Sequence, residues 1–151
     1  MMSKKYIAIA VLFILTIFVS AFIFESFIQK DEVIRREAMA ENLIFQTMYN
    51  HGDYADMYEK GTPDFQKITD ENDFISLMKK KKYILGNFVR FDLISSNVIN
   101  SNVVITTYRS IYEHYSLIEE FKLIRKNDKE KLRLGTYFMD DGGKRGEVIK
   151  L

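Results

Sequence analysis

Two histidines and a run of four lysines are the side chains of this 151-residue chain whose types could support chemistry. His114 lies close to Tyr112 and Tyr115 in a segment with the composition of a long strand, and a histidine that faces a cavity can transfer a proton. Glu113 would point to the opposite face of such a strand, so it could not pair with His114. A histidine at a strand edge or turn is the simpler interpretation, and a catalytic His114 is the alternative.

The other histidine, His51, precedes Gly52 at the end of a predicted helix, where the helix dipole favours a cation by about 0.3–1 kcal/mol. The lysines close another predicted helix and are Lys79, Lys80, Lys81 and Lys82. Four consecutive residues spread around a helix, so a solvated helix end is the simpler interpretation. Binding of anionic lipid headgroups or of an anionic polymer is the alternative, with these lysines as candidate binding residues.

Composition excludes several kinds of site. The 22 Lys and Arg residues balance 21 Asp and Glu residues, so the net charge is close to zero. This argues against electrostatic binding of nucleic acid along the whole chain. The absence of cysteine excludes disulfides, thiolate nucleophiles and Cys-ligated zinc. The acidic run 70–73 lacks the glycine and the closing glutamate of a calcium loop, and the sequence has no phosphate-binding loop or nucleophile elbow. We therefore expect no metal, no cofactor and no enzymatic activity.

Aromatic residues recur through the polar part of the chain, and a packed core is the simplest use for them. A ligand cavity between helices and sheet is the alternative, with Tyr108 and Tyr112 as its candidate binding residues. The aromatic residues of this set are Phe45, Tyr49, Tyr54, Tyr58, Phe65, Phe74, Tyr108 and Tyr112.

The N-terminal part of the chain is apolar. From Tyr6 to Phe24 there are 19 residues without charge, and a helix of that length rises about 28 Å, close to the hydrocarbon thickness of a bilayer. We interpret residues 1–30 as a membrane anchor. A cleaved signal peptide with Val19-Ser20-Ala21 as its cleavage signature is the alternative, although the apolar run continues past that point.

Lys4 and Lys5 precede the apolar run, and positive residues tend to stay on the cytoplasmic side of a membrane. We therefore expect residues 31–141 outside the cytoplasm, as one domain held at the plasma (inner) membrane by a single helix. Residues 142–151 are expected to form a flexible tail. If the leader is removed, the same domain becomes secreted or periplasmic.

The pattern of residues 31–141 predicts helices first and strands after. Helices are expected over 31–50, from Asp53 to Gly61, from Thr62-Pro63 onward, and from a cap at Thr69 or Asp70 to Leu85-Gly86. Strands are expected over 88–94, 103–115, 117–125 and 131–139, separated by turns at 95–97, 100–102 and 127–128. This order indicates an α+β fold in which helices cover one face of an antiparallel sheet.

Several short motifs in this part of the chain carry a family resemblance. They are Gly52-Asp53-Tyr54 with Tyr58, Pro63-Asp64-Phe65, Phe74, Leu85-Gly86, Arg90, Tyr108 with Tyr112, and Leu134-Gly135-Thr136-Tyr137-Phe138. Residues 35–139 resemble a family of bacterial exported domains in the SnoaL-like, nuclear-transport-factor-two-like superfamily. The resemblance implies a cystatin-like cone, in which a bent antiparallel sheet wraps around helices, and it transfers no catalytic residue. Members of that family usually have Trp where this chain has Phe74 or Leu132.

The predicted anchor and the predicted domain together indicate a membrane-anchored binding or assembly module of the bacterial envelope that is not an enzyme. A membrane tether raises the rate at which the domain meets other proteins of the same membrane, which suits such a role. Its expected partners are the membrane and an envelope protein, with no nucleic acid, and homo-oligomers are compatible with it. A small cavity enzyme or ligand-binding protein of the SnoaL-like type, using His114 and a tyrosine, is one alternative. An immunity-type protein that blocks a toxin at the membrane is another.

Overall fold

The computed structural model describes residues 4–140, and the side chains of residues 13–20 and 23–140. Four helices precede four strands, in the order α1 (Lys4–His51), α2 (Tyr54–Glu59), α3 (Pro63–Ile68), α4 (Glu71–Leu85), β1 (Phe88–Ile99), β2 (Val103–Tyr112), β3 (Ser116–Ile124) and β4 (Arg133–Asp140). The chain divides into two compact units between Val33 and Ile34, whereas the sequence places the boundary after residue 30. The predicted tail, residues 142–151, lies outside the described residues.

The first unit is an apolar helical segment whose described side chains are exposed from residue 13 to residue 30. Phe18 is 71% exposed and Phe24 is 67% exposed. Thr16 and Ser20 donate their hydroxyl protons to backbone carbonyls three residues earlier, at 2.7 and 2.8 Å, so neither hydroxyl needs a partner outside the helix. Among the described residues, one helix is long and apolar enough to cross a membrane, and it includes this segment. The prediction of such a helix near the N-terminus is confirmed.

In the second unit, the helix ends follow local sequence signals. Gly52 adopts φ +85° directly after α1, a conformation that glycine reaches without strain. The hydroxyl of Thr62 accepts a hydrogen bond from the backbone N–H of Phe65 at 3.2 Å and caps α3. The carboxylate of Asp70 accepts two hydrogen bonds from the first turn of α4, at 2.9 and 3.1 Å. These three boundaries are confirmed as predicted.

Asp53 departs from the expected capping role. It precedes α2, but its side chain accepts no capping hydrogen bond. One carboxylate oxygen of Asp53 instead lies 3.8 Å from Nδ1 of His51, and both side chains are exposed. His51 is the last residue of α1, as predicted for a residue favoured by the helix dipole.

The strands form one antiparallel sheet in the order β1-β2-β3-β4. Alternate residues of β2 are buried on the face that the helices cover, and they are Val104, Thr106, Tyr108, Ser110 and Tyr112. The side chain of Asn50, near the end of α1, bonds both backbone groups of Phe88 at 2.7 and 2.9 Å and so holds the start of β1. The predicted α+β class with an antiparallel sheet is confirmed.

The predicted turn at residues 95–97 is wrong, because these residues continue β1. The pairing with β2 shifts register between Leu93 and Ser95, which lets the polar residues stay in the strand. The predicted turn at 100–102 is confirmed, with Asn100 and Ser101 at φ +53° and +56°. Asparagine tolerates this left-handed region better than most residues do, which favours a hairpin here.

The core of the second unit is rich in aromatic side chains, as predicted. Six of the eight aromatic residues of the predicted set are buried, and Tyr54 and Tyr58 pack against the same core from its margin. Phe45 of α1 contacts Phe121 of β3 with ring centroids 5.4 Å apart. These contacts fix the helices on one face of the sheet.

Candidate functional site

The centre of the second unit holds a buried lysine. The buried face of α4 consists of Phe74, Leu77, Met78, Lys81 and Leu85, so Lys81 occupies a core position of the helix. Lys79 and Lys80 are exposed, and Lys82 is half-buried. The interpretation of four solvated lysines is therefore wrong for Lys81, and a surface role in anion binding is open only to its neighbours.

Glu119 of β3 is the partner of this lysine. Its carboxylate Oε1 lies 2.6 Å from Nζ of Lys81, and neither side chain has any exposed surface. The other oxygen, Oε2, accepts hydrogen bonds from Nε2 of Gln46 at 2.8 Å and from the hydroxyl of Tyr112 at 2.9 Å. The hydroxyl of Tyr137 also donates to Oε1. Four groups on four elements therefore satisfy one buried carboxylate.

Aromatic rings surround the ammonium group. Nζ of Lys81 lies 4.5 Å from the ring centroid of Tyr49, 4.7 Å from that of Tyr112 and 5.3 Å from that of Tyr137. Nζ also donates a hydrogen bond to the hydroxyl of Tyr137 at 2.7 Å. Desolvated cation–π contacts of this kind stabilise a charged lysine that has left water.

Burial and the ion pair act in opposite directions on these groups. Burial lowers the pKa of Lys81, and Glu119 opposes that shift without cancelling it. Burial raises the pKa of Glu119, but the ion pair and hydrogen bonds outweigh burial and hold that pKa below its ordinary value. Burial, and next the Glu119 carboxylate, raise the pKa of Tyr112 and of Tyr137 well above the ordinary value, so both remain protonated donors.

This cluster of Gln46, Lys81, Tyr112, Glu119 and Tyr137 is closed to solvent. Each of the five side chains is buried. A general acid or base has to reach the proton that it transfers, and the charged and hydroxyl groups of this cluster are buried where a substrate at the surface would not reach them. The cluster instead specifies how α1, α4 and the strands fit together, since a charge placed elsewhere in the core would lack its partner.

His114 lies outside this cluster. β2 ends at Tyr112, and His114 belongs to the exposed turn before β3, so its predicted place on a strand is wrong. A Cβ placed on Gly86 would lie 2.9 Å from Cβ of Glu113 and 3.2 Å from Cδ2 of His114. Both side chains therefore lie against Gly86, and the expectation that they face opposite sides is corrected because a turn lacks the alternation of a strand.

The same turn is held to the end of α4. The carboxylate of Glu113 accepts hydrogen bonds from the backbone N–H of Asn87 at 2.7 Å and from its side-chain amide at 2.9 Å. These bonds hold the pKa of Glu113 below its ordinary value. Nζ of Lys82 donates to the carbonyl of Asn50 at 3.1 Å and also contacts the Asn87 amide oxygen. The arrangement joins α1, α4 and the β2–β3 turn at the surface.

The tyrosines proposed for binding lie in the core. Tyr108 stacks on Phe91 with centroids 4.1 Å apart, and its hydroxyl accepts a hydrogen bond from Asn42 at 3.1 Å. Tyr112 belongs to the closed cluster. A ligand at the surface would reach neither residue, because they are 1% and 3% exposed.

A pocket opens beside the closed cluster, between α1, the end of α2 and the start of β4, with a volume of about 270 Å³. Its apolar walls are Phe45, Phe121, Leu123, Leu132 and Leu134. The rings of Phe45 and Phe121 lie 5.2 and 5.1 Å from that of Tyr137, so they separate the pocket from the ion pair. His114, Tyr108 and Tyr112 do not line it.

The described residues contain no group of three or more His, Asp or Glu side chains that could hold a metal ion. Comparisons with family models, with curated proteins and with solved structures found no match for this chain. The assignment of a site therefore depends on geometry.

Sequence reasoning missed Glu119, and it assigned Tyr108 and Tyr112 to a possible cavity between helices and sheet, whereas neither residue lines the observed pocket. Signals for the ion pair are present in the sequence. Lys81 continues the spacing of Phe74, Met78 and Leu85, the apolar stripe of α4. Glu119 lies between Leu117 and Phe121 in the inward positions of β3. A charge at a core position on each of two elements predicts a buried pair.

Proposed function

We propose that this chain is a membrane-anchored binding or assembly module of the bacterial envelope that acts without catalysis. The observation that carries the proposal is the set of exposed apolar side chains along the described part of the helix between Phe13 and Ile28, where the hydroxyl groups of Thr16 and Ser20 bond within their own helix. Such a surface costs free energy in water and is satisfied in lipid. A folded body on the same chain is then held at a membrane, where partners are confined.

The proposal includes an orientation. Lys4 and Lys5 stay in the cytoplasm, and the second unit lies beyond the plasma (inner) membrane. The helix is retained, since the exposed apolar surface continues past Ser20 to Phe27 and Ile28. Removal of the leader, which would release the second unit, is the alternative that the experiment below tests.

Labelling of single cysteines tests this orientation, because the chain contains no native cysteine. Lys129→Cys places a thiol in the exposed connection between β3 and β4, and Ser3→Cys places one before the apolar run. We expect a membrane-impermeant maleimide to label Lys129→Cys in spheroplasts and Ser3→Cys only after lysis. The opposite pattern would contradict the orientation, and an intact mass lacking residues 1–21 would contradict retention.

The binding role is tested separately, by photocrosslinking in membranes. Phe138 is 53% exposed on the uncovered face of the sheet, whereas Tyr83 is 90% exposed on α4. We expect a photoreactive amino acid at one of these positions to give a discrete adduct with an envelope protein or a second copy. Absence of a discrete adduct at both positions would contradict an assembly role.

A second candidate function is ligand binding in a cone-like domain of the SnoaL-like type. The pocket of about 270 Å³ between helices and sheet favours it. A catalytic form of this candidate would use His114, which lies in an exposed turn outside the pocket. We therefore propose binding rather than reaction for the pocket.

A further inference from the structure

The pocket lined by Phe45 and Phe121 has the size of a small ring-bearing ligand. A cavity of about 150 Å³ holds benzene, and drug-sized ligands occupy about 300–1,000 Å³. A volume of about 270 Å³ therefore admits one ring with a short side chain. A second macromolecule would need a broader surface than this opening offers.

The apolar walls are held in place by backbone pairing. The N–H of Thr62 donates to the carbonyl of Leu134 at 2.7 Å, and the N–H of Leu134 donates to the carbonyl of Lys60 at 3.3 Å. These bonds fix the start of β4 against the segment between α2 and α3. The walls are thus formed before any ligand arrives, which lowers the entropic cost of binding.

The mouth of the pocket carries an excess of positive charge. Its cations are Lys60, Lys131 and Arg133, and its carboxylates are those of Glu41 and Glu59. Lys60 lies 3.6 Å from Glu41 and is neutralised by it.

The other two cations keep their charge. Arg133 donates to the backbone carbonyls of Glu59 and Gly61, which fix its position without cancelling its charge. Lys131 is exposed and, among the described residues, lies in no ion pair. With the carboxylate of Glu59, these two cations leave one net positive charge at the mouth (two less one), which a monoanion would complement.

We propose that this pocket binds a small carboxylate with an apolar body of one ring, the ring packing against the apolar walls that include Phe45 and Phe121 and the carboxylate meeting Lys131 and Arg133. The inference deepens the ligand-binding candidate and is independent of the orientation of the anchor. An uncharged analogue with the same apolar body serves as the control, because the difference between the two affinities gives the contribution of the negative charge.

A titration on the full chain in lipid nanodiscs tests the proposal, with leucine methyl groups observed by NMR so that ligand in the bilayer gives no protein signal. We expect 3-phenylpropionate to shift the methyl signals of Leu123, Leu132 and Leu134 saturably. Its amide, 3-phenylpropanamide, should bind about two- to fivefold more weakly, the range for one exposed charge contact. Absence of saturable shifts at these leucines, or equal affinities for acid and amide, would overturn the proposal.

Two surface variants distinguish the effect of a charge at the mouth of the pocket from the effect of the net charge of the chain on ligand affinity. Lys131→Glu should lower the affinity for 3-phenylpropionate by about two- to fivefold or more and leave the affinity for the amide unchanged. Lys129→Glu makes the same change of charge two residues away, outside the pocket lining, and should leave both affinities unchanged. Equal losses in the two variants would mean that net charge, not this site, attracts the acid. The cysteine-labelling result has no bearing on these affinities, so the two proposals can fail separately.

Discussion

Nζ of Lys81 lies 2.6 Å from a carboxylate oxygen of Glu119, in a part of the core where neither side chain is exposed. The two residues are separated by 38 positions and belong to α4 and β3. Taking two charges out of water is costly, and the attraction between them offsets that cost only while both are present. The helix α4 therefore has to pack on the sheet in the one arrangement that brings Lys81 and Glu119 into contact.

Removing one partner should destabilise the fold strongly. We expect Lys81→Met to lower the free energy of unfolding by about 3–5 kcal/mol, because Glu119 is left as an uncompensated buried charge. The matched control is Lys80→Met, which changes an exposed neighbour and should shift stability by less than about 0.5 kcal/mol. Urea titration of the full chain in detergent, followed by the tyrosine circular dichroism, measures both.

The double variant Lys81→Met with Glu119→Leu extends this test. Once both charges are gone, the remaining cost is the loss of hydrogen bonds and of shape, so the double variant should be more stable than the sum of the single changes predicts. Strict additivity of the two single losses would show that the pair contributes no coupling.

The buried carboxyl also predicts a pH dependence. The ion pair holds the pKa of Glu119 below its ordinary value of 4.5, against the effect of burial. A carboxyl with a depressed pKa stabilises the fold above its unfolded pKa, and this contribution is lost as the pH falls through the folded value. The free energy of unfolding should thus fall steeply below about pH 4.5. Glu119→Gln should flatten this decrease, whereas Glu120→Gln, with the same change of charge on the exposed face, should retain it.

Gly86 is predicted to resist substitution. It has φ +77° and ψ −155°, a region that is essentially restricted to glycine, and an added Cβ would lie 2.9 Å from Cβ of Glu113. We expect Gly86→Ala to cost about 1–3 kcal/mol or more of unfolding free energy. Gly52→Ala is the matched comparison, since φ is +85° but nothing lies within 4 Å of the added Cβ. Thermal unfolding measures the loss of unfolding free energy in each variant. Equal losses would show that the β2–β3 turn moves to make room for the added Cβ without cost.

A charge within the apolar segment should prevent its insertion. Leu15 is 60% exposed, and arginine at the centre of a spanning helix costs about 2.5–3.5 kcal/mol. Leu15→Arg should therefore reduce the fraction of the chain that stays in membranes after alkaline carbonate extraction. Leu15→Ile should behave as the original chain does. Full retention of the arginine variant would count against a spanning helix.

Local signals were sufficient for much of the fold. Gly52, Thr62 and Asp70 each mark a helix boundary through one glycine conformation or one capping oxygen, and these depend on neighbouring residues only. The four strands were also predicted, because β-branched and aromatic residues cluster in them. The polar composition of residues 95–97 predicts a turn, which is wrong because a register shift in the pairing of two strands leaves no local signal.

The local patterns of α4 and β3 place Lys81 and Glu119 on buried faces, but which groups meet in the candidate site is decided by tertiary contacts. The burial of Lys81 requires Glu119 and three tyrosines from other parts of the chain. The pocket depends on the distance between α1 and the start of β4, which is set by tertiary packing. The sequence pattern predicts His114 on a strand because β-forming residues continue to residue 115. The strand β2 ends instead at Tyr112, whose backbone N–H donates to the carbonyl of Tyr115.

β1 lies at an edge of the sheet, and its pairing with β2 shifts register twice, between Phe88 and Arg90 and between Leu93 and Ser95. A regular edge offers evenly spaced donors and acceptors that another chain can extend. The two irregularities interrupt that spacing. A strand of a neighbouring molecule would therefore form few regular hydrogen bonds with β1. The irregular pairing of β1 therefore makes this edge of the sheet a poor template for the addition of another strand.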